Sequence, residues 1–316
     1  MRLPALVLLA STLMSAETPT PKPLPPAEGA PVAAAFAARL AQVLPTARVV
    51  PTTPRRLLVL TRTDGFRHAS INEGCEMLRQ VGAATKAFTP TFSNDLADLE
   101  ADRLAGFDGL VLLNTTGLRP SPSQQAAFLA FVQEQGRGVI GIHAAIDNFP
   151  DFPAGRACLG GHFHNHPWNA KDLCAVKLDD PQHPVVAAFG GRGFWFKDEM
   201  YQVVGAYDRA DLRVLLSLDM SRPENARPAK SLVRTDQDFG IAWVARRGKG
   251  RLFYSCLGHN PATYGHPVIL QHFLDGIQYA LGDVPAPDTP SSTVTAAPAL
   301  APAEPHPLPE HRESHP

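Results

Sequence analysis

The sequence predicts an α/β fold with a doubly wound, mostly parallel sheet, and three observations lead to this prediction. Apolar runs at 57–60, 107–113 and 138–142 have the hydrophobicity of strands that are buried on both faces. Helix patterns follow the first two runs, at 71–81 and 121–136. Strands that alternate with helices join through right-handed crossovers, so the first half of the chain should form a parallel sheet.

Shorter elements take over after Pro150, and they include few intervening helices. Three strands and a final helix are predicted there, at 212–218, 240–244, 251–254 and 268–281. We therefore expect a mixed rather than a parallel second half, within a single domain over residues 55–283.

The two ends of the chain differ in composition from this domain. Residues 1–16 combine one basic residue, an apolar run and a small residue, which is typical of a secretory signal peptide cleaved near Ala16. A buried N-terminal helix is the alternative. Residues 17–54 are rich in Pro and Ala and are predicted to be a linker, in which 32–44 fits one short amphipathic helix. Residues 284–316 repeat the Pro bias, and we expect a disordered tail.

Composition and charge exclude several classes of function. The chain has 29 Lys and Arg against 30 Asp and Glu, so no overall field would attract nucleic acid. The N-terminal apolar run is shorter than the roughly 20 residues that span a bilayer, so we expect no transmembrane segment in the mature chain. A secreted or periplasmic location follows from the predicted signal peptide. Spacing alone leaves open whether Cys158 and Cys174 pair.

Polar side chains stand at the ends of the three predicted parallel strands. His68 lies in the loop after the first, Asn114 and Thr115 follow the second, and His143 follows the third. In open α/β sheets the ligand crevice lies beyond the carboxyl ends of the strands, so these residues should line one cleft. For His143 the alternative is a core histidine that satisfies a buried backbone group. His68 precedes a helix, where a neutral imidazole is favoured.

Three histidines alternate at His162, His164 and His166. In an extended segment their rings would lie on one side, and that spacing can hold Zn²⁺ through neutral imidazoles. A loop with local polar contacts is the alternative. A second candidate zinc set combines His166 with His143 and His259.

An acidic pair, Asp198 and Glu199, follows an aromatic segment. Burial there would raise a carboxyl pKa and suit a general acid or base, whereas a salt bridge with Lys197 is the alternative. Tryptophans form another ambiguous group, because they can stack on sugars but more often belong to the core. They are Trp168, Trp195 and Trp243.

Six motifs taken together resemble the ThuA-like (trehalose-utilisation) family. They lie at 65–68, 113–117, 141–145, 160–167, 198–201 and 250–259. The resemblance covers the predicted domain and implies a flavodoxin-like core similar to class I glutamine amidotransferases. It also implies a bacterial role in the catabolism of disaccharides and their oxidised 3-keto forms.

One departure from the amidotransferase pattern bears on the chemistry. His143 occupies the strand-to-helix turn at which those enzymes carry a nucleophilic cysteine. We expect that no cysteine of the chain follows a comparable strand, which argues against glutamine hydrolysis. The four cysteines are Cys75, Cys158, Cys174 and Cys256.

The resulting hypothesis is an exported enzyme whose partner is a small carbohydrate, an oxidised sugar or glycoside. Proton transfer beside the sugar carbonyl, in an isomerase or lyase step, is assigned to His143, His259, Asp198 and Glu199. Substrate binding is assigned to His68, Asn114, Thr115, His166 and Tyr201. The His143 ring should face the cleft and titrate near neutral pH. A zinc-dependent hydrolase and a non-catalytic sugar-binding module are the alternatives.

Overall fold

A computed structural model describes residues 25–308, so the expected signal peptide lies outside the described residues. The strands of this part are β1 (Arg56–Leu60), β2 (Thr89–Ser93), β3 (Gly109–Leu113), β4 (Gly138–Ile142), β5 (His162–Trp168), β6 (Leu173–Leu178), β7 (Phe194–Lys197), β8 (Met200–Val204), β9 (Arg213–Leu218), β10 (Gly240–Arg247) and β11 (Gly250–Ser255). The α-helices are α1 (Ala34–Gln42), α2 (Ile71–Thr85), α3 (Ala101–Leu104), α4 (Pro122–Leu129), α5 (Pro153–Leu159) and α6 (Pro267–Ala280).

Most of the described strands form one large mixed sheet in the order β2-β1-β3-β4-β11-β10-β9-β6-β7. Neighbours from β2 to β11 are parallel, and neighbours from β11 to β7 are antiparallel. The expected change from a parallel first half to a mixed second half is therefore confirmed. The parallel part has the strand order of flavodoxin-like sheets, with β11 in the place of the fifth strand. The doubly wound arrangement of the helices stays a prediction.

The apolar runs of the first half coincide with the central strands. β3 and β4 are buried at every position, and β1 is buried at all but its first residue. The apolar runs did not predict β2. This strand lies at the edge of the sheet and is half-exposed, so it has no continuous apolar run. Helix α4 begins with the capping box of Ser121 and Gln124, as its sequence indicates.

The second half contains strands that the sequence pattern does not indicate. β6 and β7 extend the main sheet, whereas β5 and β8 pair separately as a two-stranded antiparallel sheet. Two register irregularities interrupt the pairing of β5 with β8. The turn from β7 to β8 carries the acidic pair, so these short strands position part of the site.

The described part of the Pro-rich tail differs from the expected disordered tail. Residues 284–308 lie against the domain, where Ala299 and Leu178 exchange backbone hydrogen bonds of 3.0 and 2.8 Å. The amide of Leu308 donates to the carbonyl of Trp195 in β7 at 2.8 Å. Because β7 is the edge strand, its free backbone groups offer pairing partners to an extended segment.

The described part of the predicted linker also packs on the domain. Helix α1 confirms the short helix expected there, and its Leu40 is fully buried. Farther along, Arg48 forms an ion pair of 2.9 Å with Asp275 in α6, and its amide donates to Gln278 Oε1 at 2.9 Å. Residues 25–54 therefore belong to the folded unit and do not form a free spacer.

The tryptophans and cysteines are structural. Every tryptophan is fully buried, which agrees with the core interpretation and not with stacking on sugars. The four cysteines are buried and unpaired, so a bridge between Cys158 and Cys174 is not formed. The expectation that no cysteine follows a comparable strand was wrong, because Cys256 directly follows β11, which is parallel to β4.

No α-helix among residues 25–308 is long and apolar enough to cross a bilayer.

Candidate functional site

The candidate site lies where parallel strands end, as expected from the sequence. His68 lies in the loop after β1, His143 directly follows β4, and His259 lies in the loop after β11. The turn between β7 and β8 adds Glu199, and β8 itself contributes Tyr201. The fold thus brings together side chains that are almost 200 residues apart in sequence.

His143 directly follows β4 and has a strained backbone. Its φ is +49°, in the left-handed region that non-glycine residues rarely adopt and that is often found at functional sites. The ring is fully buried, and its Nδ1 lies 2.6 Å from the carbonyl oxygen of Cys256. A carbonyl only accepts, so Nδ1 carries the proton and Nε2 presents its lone pair.

The lone pair of His143 Nε2 is directed at the centre of a cluster. The hydroxyl of Tyr201 donates to it at 2.8 Å, Nε2 of His68 lies 3.2 Å away, and Oε2 of Glu199 lies at 3.6 Å. His259 Nδ1 lies 3.0 Å from the same Oε2. We call His68, His143, Glu199 and His259 the inner cluster, because their ligand atoms lie within 4.8 Å of one another.

His166 is not part of the inner cluster but contacts Glu199 from the solvent side. Its Nδ1 lies 3.2 Å from Oε1 of Glu199, and its side chain is 48% exposed, compared with 9% for Glu199. Glu199 therefore contacts buried His143 and partly buried His259 with one oxygen and a solvent-facing histidine with the other.

Burial governs the protonation of His68 and His143. It lowers the pKa of His68 to about 4 and that of His143 well below the ordinary value, and neighbouring histidines add to both shifts. The expectation that His143 titrates near neutral pH was wrong, because its ring is completely desolvated. The lowered pKa of His68 agrees with the expected neutral form, but burial is its main cause and not a helix terminus.

Glu199 and His259 shift each other in opposite directions. The hydrogen bond with Glu199 raises the pKa of His259 despite partial burial. Burial alone would raise the pKa of Glu199, but the hydrogen bond and charge of His259, with the charge of His166, lower it overall. Burial raises the pKa of Tyr201 well above its ordinary value, so its hydroxyl remains a donor.

Asp198 has a different position from its neighbour. Its fully buried carboxylate accepts hydrogen bonds of 2.8 Å from the amide of Gly258, 2.9 Å from that of Asn260 and 3.0 Å from the hydroxyl of Thr263. Burial raises its pKa to about 6, although these donors oppose the shift. Asp198 thus holds the loop that carries His259, which is a positioning role and not the predicted catalytic one.

Asn114 and Thr115 also differ from the substrate-binding role predicted for them. Both are completely buried. The amide of Asn114 donates to Ser70 Oγ at 3.0 Å, and the hydroxyl of Thr115 accepts from Asn148 at 2.6 Å. They join the loops beneath the site, where a sugar arriving from solvent cannot touch them.

The alternating histidines of β5 do not form a metal site. The irregular pairing of β5 breaks the alternation on which that prediction relied, and His164 is exposed while His166 contacts Glu199. Among the described residues, the group that can converge on one ion is the inner cluster. It retains His143 and His259 from the second predicted zinc set, but has His68 and Glu199 where that set has His166.

Two phenylalanines at the site were not predicted as site residues from the sequence. Phe66 is 67% exposed and contacts the His68 ring edge-on at a centroid distance of 4.8 Å. Phe163 packs against Tyr201 at 4.6 Å and stacks on His166 at 6.1 Å. Phe66 lies within a motif that the sequence already singles out, and its unusual exposure appears only in the fold.

Comparison with known proteins identifies the family. A sequence model of the ThuA family, described as trehalose utilisation, matches residues 56–280. This chain belongs to the ThuA family. Membership confirms the resemblance noted in the sequence and implies a role in carbohydrate metabolism. No curated protein matches the chain.

Solved structures of ThuA-like proteins share the fold. One from Bacteroides uniformis is 20% identical, with a TM-score of 0.59 over 73% of this chain and 93% of that one. Another from Parabacteroides merdae is 19% identical, with a TM-score of 0.57 over 73% of this chain and 92% of its own. At these identities the likeness concerns the α/β architecture of this ThuA-family chain.

Proposed function

We propose that this ThuA-family chain is an enzyme that moves a proton beside the carbonyl of an oxidised sugar or glycoside, in an isomerase or lyase step. One observation carries the proposal. The ring of His166, which is half-exposed, contacts one oxygen of Glu199, and the other oxygen contacts His143, which is buried, and His259, which is partly buried. His166 is thus an acid–base group that a substrate can reach, and Glu199 connects it to the inner cluster.

Proton transfer suits this arrangement because a carbonyl acidifies the neighbouring C–H bond, which a positioned base can then remove. His166 is the group open to solvent, and its Nδ1 contact with Glu199 orients the ring. The buried hydroxyl of Tyr201 and the inner histidines form the polar wall of the site beside this group.

A sugar substrate is supported by the family and by the aromatic side chains near the cluster. Exposed Phe66 and partly buried Phe163 flank His68 and His166, and aromatic faces provide apolar surface to a sugar ring. Glutamine hydrolysis is not supported, because Cys256 is fully buried and burial strongly raises the pKa of its thiol.

The test is turnover of chemically defined 3-keto sugars, such as 3-keto-glucose and 3-keto-trehalose, in D₂O. We expect NMR spectroscopy to detect enzyme-dependent exchange of the proton beside the carbonyl, followed by isomer or elimination product. His166→Asn should lower this rate by roughly 10²–10⁴-fold with little change in melting temperature. His164→Asn, on the same strand but exposed and outside the cluster, is the matched control.

Three outcomes contradict the proposal. Saturable binding of these sugars without any conversion identifies a sugar-binding module. Hydrolysis that incorporates ¹⁸O from labelled water without C–H exchange identifies a hydrolase. Full activity of His166→Asn excludes His166 as the proton-transferring group.

We also propose that the protein acts after export. The support is the signal-like pattern at residues 1–16, and the mature enzyme would then act outside the cytoplasm.

A further inference from the structure

We propose that the inner cluster binds one divalent transition-metal ion, for which Zn²⁺ is the probe. The inference deepens the proposed function and rests on it for the role of the ion, because a metal beside Tyr201 and His166 would polarise the sugar carbonyl. Its basis is the geometry of four side chains, His68, His143, Glu199 and His259.

The spacing of the donor atoms fits a tetrahedral ion. Bonds of about 2.0–2.1 Å to a tetrahedral centre separate the ligand atoms by roughly 3.4 Å. Here His143 Nε2 lies 3.2 Å from His68 Nε2 and 3.6 Å from Glu199 Oε2, which is 3.0 Å from His259 Nδ1. These three of the six donor separations lie on both sides of the tetrahedral value, and all four donor atoms lie within 4.8 Å of one another.

The orientation of the rings agrees with this spacing. His68 is perpendicular to His143 and to His259, and the planes of His143 and His259 meet at 81°. The three ring centroids are 4.7 to 5.3 Å apart. Such packing, edge to face around one point, allows each ring to direct a nitrogen inward.

Hydrogen bonding around His143 supports a ligand and not a core histidine. Its Nδ1–H donates to the carbonyl of Cys256 at 2.6 Å, which is the outer contact that metal-binding histidines commonly make. The remaining lone pair faces both the Tyr201 hydroxyl and His68 Nε2 within hydrogen-bond distance. With His68 Nε2 also unprotonated, an ion between the two nitrogens would use the lone pairs of both.

The donor set selects the class of ion. Imidazole nitrogens suit Zn²⁺ and its transition-metal neighbours, whereas Mg²⁺ and Ca²⁺ require mainly oxygen ligands. Glu199 supplies one negative charge through Oε2, and its Oε1 keeps the contact with His166. The solvent-facing histidine thus stays outside the ligand set, available to a substrate.

The experiment measures metal binding by the full chain. Protein freed of metal with a chelator is titrated with ZnCl₂ by calorimetry, and bound zinc is counted by elemental analysis. We expect one Zn²⁺ per chain, and Co²⁺ should give the strong visible bands of a tetrahedral site. His143→Asn and Glu199→Gln should each weaken binding by roughly 100-fold or more, since even outer-contact changes cost 10–100-fold.

His164→Asn is the matched control, because His164 is an exposed histidine of β5 outside the inner cluster. It should bind Zn²⁺ as the unchanged protein does. Circular dichroism of every variant shows whether weaker Zn²⁺ binding reflects the loss of a ligand or the loss of the fold. Glu199→Gln is nearly isosteric and remains informative if His143→Asn does not fold.

Two results overturn the inference. One is the absence of stoichiometric Zn²⁺ binding by folded, chelator-treated protein. The other is binding that survives both inner-cluster variants but is lost in His164→Asn, which would place the ion on β5. Zinc binding without any turnover of 3-keto sugars refutes the proposed function alone, whereas turnover by a protein that binds no Zn²⁺ refutes the inference alone.

Discussion

Two residues at strand ends hold unusual backbone conformations that shape the site. His143 after β4 and Asn114 after β3 both have φ of +49°. Each such conformation costs of order 1–3 kcal/mol in a non-glycine residue, and Asn tolerates it better than most. The turn at His143 keeps the ring at the end of the strand. His143→Asn therefore changes the side chain at a position whose backbone asparagine readily adopts.

At the same scale, His272 in α6 predicts a pH dependence of stability that is independent of the site. The ring is fully buried, and burial lowers its pKa to about 4 from 6.5. Between these values the unfolded chain binds the proton and the folded protein does not, so stability falls as the pH decreases from 6.5 to 4. Linkage gives this group a contribution of up to about 3 kcal/mol.

His272→Phe should therefore flatten the acid side of the stability profile. The ring packs against Phe189 and Phe253, so an aromatic replacement suits its surroundings. The measurement is the urea midpoint at pH 4 to 7, with exposed His164→Asn as the control. An unchanged slope in His272→Phe would show that this histidine does not drive the acid sensitivity.

At the scale of elements, the tail forms isolated backbone bridges with β6 and with the edge strand β7. Ala301 is almost fully buried beside Trp195, whose indole N–H donates to the carbonyl of Pro302 at 2.9 Å. A proline-rich segment suits this place because it is already extended and has few N–H groups to satisfy. The tail thus covers both the edge of the sheet and the indole ring of Trp195.

Deletion of residues 299–316 should expose Trp195 and the edge of β7. We expect a loss of about 2 kcal/mol, or a drop in melting temperature of about 4–8 °C, since an aromatic side chain loses its cover. Calorimetry and intrinsic fluorescence measure the two effects. Deletion of residues 309–316 alone is the control, because it leaves every described contact of the tail in place. Equal stability of the two truncated chains would show that the packed tail contributes nothing.

At the scale of the whole molecule, the proposed export makes a simple prediction about mass. Cleavage near Ala16 should yield a mature chain that lacks residues 1–16. The described structure begins at residue 25, so this cleavage leaves every described contact intact. Intact-mass measurement of the periplasmic or secreted protein tests the prediction. Recovery of the full-length chain from the cytoplasm would contradict it.

Much of the architecture could be read from local patterns in the sequence. The apolar runs of β3 and β4, the capping box of α4 and the change to a mixed sheet all depend on residues that are close in the chain. The same holds for the family motifs and for the rule that ligands meet parallel strand ends. These features predicted the family, the α/β fold and the region of the site, including His143 and His259.

Only the tertiary structure decided which side chains meet and in what protonation state. Glu199 and Asp198 are adjacent in sequence, yet one joins the inner cluster while the other holds a loop. Alternation in β5 suggested a metal site, but the pairing with β8 is irregular, and of the three described β5 histidines His166 is the one that contacts Glu199. Pairing register, burial and pKa arise from contacts between distant segments, and local periodicity carries no information about them.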